Sequence, residues 1–317
     1  MRNFNLAIIG FGNMGKIHYK AVMKNQNCNT PIVIDPDLDK INGFEEAEHY
    51  SDISGIPDKI LDKIDGVIVS TPSAIHFEQS LSLLEKKIPL LVEKPLTNQI
   101  DKDLELIHTA KNSGILLKCG LIELYNPIVQ ELSETNFNGI KFVHFKRHSP
   151  KTSTNRKLEN IVLDLTLHDI SIIYKIFKPE KIDILGAELI QDEGVAESAQ
   201  ILLKIDNLYT IFLSTSRQDQ EKIRTLEIVD EDATYSCDLK NKYYEIKQSG
   251  EISSVSSKSI TESNVLKKID MLNKPETAEI QLESFLNSIK SGNEDLKHLH
   301  IVEKTHEMVY KILNSQI

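Results

Sequence analysis

Tryptophan is absent from this chain of 317 residues, and cysteine is scarce. The three cysteines, Cys28, Cys119 and Cys237, lie far apart. They have neither the spacing of a metal site nor the density of a disulfide framework, so no metal is expected and a reducing, cytoplasmic setting is the simpler reading. Thirteen glycines and ten prolines are too few for a collagen-like or low-complexity chain. An excess of positive charge is also missing. Lys and Arg number 37 against 47 Asp and Glu, a formal charge of −10, which argues against nucleic acid or an anionic membrane as a general partner. No apolar run reaches the length that spans a bilayer, about 20 residues. Arg2 leads into a short strand pattern and a glycine turn, which does not read as a secretory signal.

What is present is enough apolar material for a sizeable core. Hydrophobic residues make up 40%, with 10 Phe and 9 Tyr, and the composition excludes disorder. At this length two domains are expected, here 1–120 and 121–317.

Residues 5–9 form an apolar run that stops at Gly10-Phe11-Gly12-Asn13-Met14-Gly15, and a periodic segment with Ile17, Ala21 and Val22 follows. Strand, glycine turn and helix make the setting of a dinucleotide site. Gly10 suits a tight turn, Gly12 lets a pyrophosphate approach the backbone, and Gly15 lets helix and strand pack closely. The free N–H groups at the helix start then face the phosphates. A second strand, 32–34, ends at Asp35. A carboxylate there accepts hydrogen bonds from ribose hydroxyls and repels a 2′-phosphate, which favours NAD over NADP. The alternative is a doubly wound domain that binds no nucleotide.

The alternation continues with strands expected at 66–70, 89–93 and 115–119 and helices around 76–84 and 101–112. That order argues for a parallel sheet with helices on both faces. Ligands of such sheets bind beyond the C-terminal strand ends, where Asp35, Ser70-Thr71-Pro72 and Glu93-Lys94 fall. Lys94 is either a plain surface charge or a ligand-edge cation. Pro95 restricts the residue before it, and the Lys94–Pro95 bond is a candidate for the cis form.

Past Gly120 a helix is expected over 121–134, interrupted or started by Asn126-Pro127, then a strand over 140–147. The polar stretch 149–160 carries Lys151, Arg156 and Lys157 and reads as a loop, either solvated or facing a phosphorylated substrate. In the apolar segment after it, Asp164 and His168 are four apart and share a helix face. An imidazole beside a carboxylate suits proton transfer, and a satisfied polar pair is the alternative. No glycine-flanked nucleophile supports hydrolase chemistry. Strands at 182–189, 198–206, 208–215, 223–229 and 242–247 suggest a mostly antiparallel sheet, followed by an exposed loop at 249–264 and helices at 277–289 and 294–312. The helices can cover one face of that open sheet, and the other is a natural dimer surface or half of a sheet-to-sheet contact.

With these residues on the page, the chain resembles the glucose–fructose oxidoreductase / inositol dehydrogenase family (Gfo/Idh/MocA type) over nearly its whole length. The resemblance rests on Gly10-Phe11-Gly12-Asn13-Met14-Gly15 with Asp35, Thr71-Pro72 with His76, Glu93-Lys94-Pro95-Leu96, Glu123-Leu124-Tyr125-Asn126-Pro127, and Leu163-Asp164-Leu165 with His168-Asp169. Within the family it is most similar to enzymes that oxidise C3 of UDP-N-acetyl-hexosamines or their uronic acids. It departs from them at Tyr125, where they have Phe, and at Leu121-Ile122, where they have a His-containing lead-in. The resemblance implies an N-terminal Rossmann domain and a C-terminal α+β domain with a large open sheet. It implies a bound NAD, a sugar or nucleotide-sugar substrate, and a homodimer or homotetramer formed through the C-terminal sheet. It also implies Lys94 and His168 as catalytic residues with Asp164 in support, a cis proline at Pro95, and Ser70, Thr71, Pro72, His76, Glu93 and Lys94 on the cofactor side. Other sugar or inositol oxidoreductases of the family, or an NAD-binding regulator without activity, remain as alternatives.

Overall fold

The computed structural model describes residues 3–44, 46–151, 159–192, 194–249, 263–271 and 274–315. Its contacts divide the chain into two compact units, 1–125 with 275–307 and 126–274 with 308–317.

The first unit holds six short strands: β1 (Leu6–Ile9), β2 (Ile32–Ile34), β3 (His49–Tyr50), β4 (Gly66–Val69), β5 (Leu90–Val92) and β6 (Leu117–Cys119). They form one parallel sheet in the order β3-β2-β1-β4-β5-β6. The four residues of β1 are all buried, as are those of β4, because a parallel sheet is covered on both sides and its strands read as unbroken apolar runs. Helices α1 (Asn13–Lys24), α2 (Asp58–Leu61), α3 (His76–Glu85) and α4 (Ile100–Ser113) connect the strands. The chain reverses direction across the sheet between β1 and β4, and it is there that such folds open a ligand crevice at the strand ends.

Asn126-Pro127 divides the helical stretch expected over 121–134 into a 3-10 turn, Ile122–Tyr125, that ends this part of the first unit, and a separate short helix, α5 (Pro127–Leu132), that begins the second. Pro127 cannot continue a helix from the preceding turn but is well suited to start one, and the Asn126 side chain caps it by accepting from Ile128 N at 3.1 Å. β7 (Phe142–His148) follows, then a π-helical turn, Val162–Thr166, that runs into α6 (Leu167–Ile176). Strands β8 (Ile182–Asp192), β9 (Val195–Ile205), β10 (Tyr209–Ser216), β11 (Ile223–Val229), β12 (Thr234–Asp238), β13 (Tyr243–Ser249) and β14 (Ser263–Asp270) complete the unit's sheet. Its order is β14-β13-β12-β11-β7-β10-β9-β8, antiparallel except for the parallel pair β7–β10. β12 and β14 were not expected from the sequence. Most of the loop expected at 249–264 lies outside the described residues.

One face of this sheet is dry. Val143, Phe145, Ile201, Leu203, Ile211, Leu213, Leu226 and Ile228 are fully buried. Phe142, Leu185, Ile190 and Leu202 on this sheet are exposed. β7 alternates between the two environments residue by residue, as an extended chain must.

The chain ends in α7 (Thr277–Ser291) and α8 (Leu296–Asn314). The boundary expected at 120/121 placed both helices in the second domain. In the structure α7 instead joins the core of the first unit. Ala278, Leu282, Phe285 and Leu286 pack with Leu6, Ile8, Val33, Ile68 and Leu91. Burying Phe285 alone is worth roughly 1.5–3 kcal/mol toward holding the helix in this core. Among the described residues no helix is long and apolar enough to cross a membrane.

Candidate active site

β1 delivers the chain into the glycine turn. Gly10 has φ +87, and its N–H donates to Ile34 O at 2.8 Å. A Cβ at Gly15 would lie 2.1 Å from Gly10 O, so only glycine lets α1 pack against the turn. Ser70 Oγ donates to Gly10 O at 2.7 Å and ties the turn to the end of β4. Gly12 is different. It has an ordinary negative φ, and a Cβ there would meet nothing within 4 Å. Among the described residues nothing requires glycine at 12, so the open space in front of it is what a ligand's approach would explain. α1 begins at this point with no side-chain cap and no acidic residue in its first turn. Its first N–H groups and the positive end of its dipole therefore serve an anion. The residues fit the pyrophosphate of a dinucleotide, with Gly12, Asn13 and Met14 on the accessible side.

Asp35 follows β2 as expected, but its carboxylate is not open. Oδ2 accepts from Phe11 N at 2.7 Å, Oδ1 from Asp37 N at 2.9 Å, and Lys40 Nζ reaches Oδ1 at 3.0 Å. Burial alone would raise its pKa. The two N–H groups and the ammonium outweigh that and hold the carboxyl below the usual carboxylate range. Asp35 thus first orders the glycine turn, and any ribose contact is added to that work. Phe11 is fully buried, edge-on to Tyr19 and Phe44, so only its backbone faces the turn.

Lys94 stands half-buried just past β5, and the Lys94–Pro95 peptide is cis. Its neighbours are locked from three sides. Glu93 is buried, and its Oε1 lies 2.7 Å from His18 Nε2 on α1. Glu93 Oε2 accepts from Lys94 N at 3.3 Å. His76, at the start of α3, has one ring nitrogen 2.8 Å from Thr71 O and the other 3.1 Å from Pro95 O. His306 Nε2 accepts from Leu96 N at 3.2 Å. Glu93 and His76, both expected on the cofactor side, are buried and brace the loops that carry Thr71 and Lys94. His18 and His306 had no signal in the sequence, because each finds its partner across 75 or more positions. Behind this loop Asp103 is fully buried. Burial pushes its carboxyl up to about 6, against the pull of His306 and His76.

In the second unit, the expected pair Asp164 and His168 straddles a change of helix type. Asp164 lies in the π turn and His168 in the first turn of α6. The Asp164 carboxylate is engaged by Arg217, whose guanidinium donates to Oδ2 at 2.8 Å. Arg217 also reaches Glu197 Oε1 at 3.3 Å and Glu159 O at 2.8 Å. His168 is buried, and Asp169 beside it accepts from Arg147 Nε at 2.8 Å, with both partners 2% exposed. Arg147, Glu197 and Arg217 were missed by the sequence reading, since each is a single charge in or just beyond a strand. Arg156 and Lys157 lie outside the described residues. Lys94 belongs to the first unit, and Asp164 and His168 to the second. Among the described residues no cluster of His, Cys, Asp and Glu could hold a metal ion.

Residues 4–121 match the GFO/IDH/MocA oxidoreductase family, NAD-binding Rossmann fold. The chain is 22% identical over 258 residues to a UDP-N-acetylglucosamine 3-dehydrogenase of Acidithiobacillus ferrooxidans, covering 79% of each sequence. It is 24% identical over 195 residues to an inositol 2-dehydrogenase of Mycolicibacterium smegmatis, covering 57% of this chain and 54% of that protein. The solved structure of the Acidithiobacillus enzyme is similar in fold, with a TM-score of 0.83 at 20% identity over 98% of this chain and 96% of that one. The match to the GFO/IDH/MocA oxidoreductases thus covers residues 4–121, the nucleotide-fold part of the chain, and the likeness to the solved structure extends the fold to nearly the whole chain.

Proposed function

We propose that the protein is an NAD-dependent oxidoreductase that moves hydride between nicotinamide and a secondary alcohol or ketone carbon of a sugar, C3 of a nucleotide-linked amino sugar in particular. The observation that carries the reading is the glycine turn, where Gly10 and Gly15 are required by the fold and Gly12 only by a ligand. NAD, when bound, supplies the hydride acceptor. The backbone N–H groups after Gly12 hold its pyrophosphate. Asp35 and Asp37 favour an unphosphorylated ribose, because two carboxylates stand against the one ammonium of Lys40. Lys94 steadies the negative charge that develops on the substrate oxygen, and its strength there depends on water being kept out. His168 takes the hydroxyl proton, and Asp164 holds a neighbouring hydroxyl or the imidazole. The same reading places the protein in the cytoplasm as a homodimer or homotetramer formed through the eight-stranded sheet, with residues 1–120 serving the cofactor and 121–317 the substrate and assembly.

Purified protein with NAD, screened against UDP-sugars, inositols and free sugars, tests this by NADH formation. Lys94→Ala should lower turnover by about a thousandfold with NADH affinity near normal. Loss of binding in step with turnover would remove Lys94 from the chemistry. The match to an inositol 2-dehydrogenase favours a polyol as the second substrate class, which the same screen decides. NADH binding without any turnover would mark a regulator instead.

A further inference from the structure

The second unit contains a charge arrangement that the expected catalytic residues do not account for. Arg217 follows β10 directly and is nearly fully buried, with 5% of its side chain exposed. It faces two carboxylates from different elements, Asp164 in the π turn and Glu197 on β9. The two are not alike. Glu197 is 4% exposed, whereas Asp164 keeps a third of its side chain open. A buried guanidinium that holds one oxygen of a part-open carboxylate fixes the direction of that carboxylate before any ligand arrives. The Glu159 carbonyl, on the same guanidinium nitrogen, limits how Arg217 itself can turn.

The ligand chemistry follows from the donor and acceptor balance. An ionised carboxylate only accepts, and sugar hydroxyls donate. Two carboxylates on one guanidinium make the group rich in acceptors, and among the described residues nothing donates to Glu197 Oε2. Such a group welcomes hydroxyls and disfavours phosphate. We infer that Arg217 is the positioning residue that aims Asp164 at a hydroxyl of the sugar ring, with Glu197 as the counter-charge that keeps the guanidinium in place. This rests on the sugar-oxidoreductase reading above and adds to it a residue and a direction. It is the neutral ring of a sugar substrate, not a phosphate attached to it, that meets Asp164.

The test is a double-mutant cycle on turnover of UDP-N-acetylglucosamine or myo-inositol with NAD, whichever the wild type oxidises. Arg217→Gln should lower kcat/KM by about thirtyfold, most of it in KM, and Asp164→Asn by a similar factor. With Asp164→Asn already present, Arg217→Gln should add less than about threefold. Arg217→Lys should recover to within about fivefold of wild type, since a point cation holds one carboxylate but not both. NADH affinity, read by fluorescence, should stay unchanged throughout. Removing the guanidinium leaves Glu197 buried without a counter-charge, so the same cycle is run in a Glu197→Gln background, where a failure to fold is not forced. Losses that multiply in the double variant would show a merely structural arginine and overturn the assignment. A wild type that binds NADH but oxidises no sugar or polyol would sink the underlying reading, and the assignment with it.

Discussion

The two units reach their candidate residues by opposite routes. In the first, the parallel sheet brings Gly10, Ser70, Lys94 and Asp35 to neighbouring strand ends, and each lies within a few residues of the strand that positions it. In the second, the antiparallel sheet is a platform, and the polar residues on it are held by ion pairs between distant positions. Arg217 and Asp164 are 53 residues apart, and Arg147 and Asp169 are 22 apart. The difference teaches where a site can be read locally. A strand-end site is written into short segments, while a site built on a sheet face is written into pairs.

The sharpest way to break this comparison is at the glycine turn. Gly15→Val should destabilise the first unit by more than about 4 kcal/mol, because the new side chain meets the Gly10 carbonyl backbone. Gly12→Ala should cost thermal stability no more than an N-cap change of about 1 kcal/mol and weaken NADH binding at least tenfold, since its Cβ enters only the open space in front of the turn. Equal damage to stability at both positions would show that the turn is purely structural. Next in size is the second unit's buried pair. Asp169→Ala should cost about 3–5 kcal/mol in denaturant unfolding, because it removes the carboxylate that receives Arg147 deep in the unit. A loss under 1 kcal/mol, on the order of an exposed pair, would place Arg147 in contact with water.

The smallest effect has the opposite sign. The Asp103 carboxyl has its pKa raised by burial to about 6, above the ordinary value near 3.8, so the folded state takes up a proton between those values. Stability contributed by this group is highest in acid, falls as pH rises from about 4 to 6, and stays low above. Asp103→Asn should therefore stabilise the protein by about 3 kcal/mol at pH 8, with the gain fading towards pH 4. Unfolding curves at the two pH values decide it. A gain that is the same at both would mean that the carboxyl is not the titrating group.

Much of the first unit was legible because its signals are short-ranged. The strands expected at 5–9 and 66–70 appear as Leu6–Ile9 and Gly66–Val69, and the helix expected around 76–84 starts at His76. What was not legible there was the purpose of some residues. Glu93 and His76 read as ligand-side groups, and no sequence signal showed that contacts with His18, Thr71 and Pro95 also make them braces. Asp35 was read as a ribose acceptor, and nothing in the sequence shows that Phe11 N–H and Lys40 also reach it. In the second unit the strand alternation was visible, but β12 and β14 and the return of α7 to the first unit were not. The spacing of four between Asp164 and His168 was read on an unbroken α-helix, and nothing in the sequence signalled the π turn in which Asp164 lies.

Residue order alone determined the strand–turn–helix at the start, the parallel-then-antiparallel division, and the position of Lys94 at a strand end. These follow from steric and periodic rules that act over a few residues. Only the tertiary structure decided which charges are spoken for: Asp35 by Phe11 and Lys40, Glu93 by His18, Asp164 by Arg217. The reason is that a buried charge must find a partner wherever the fold supplies one, and distance along the chain places no limit on where that is.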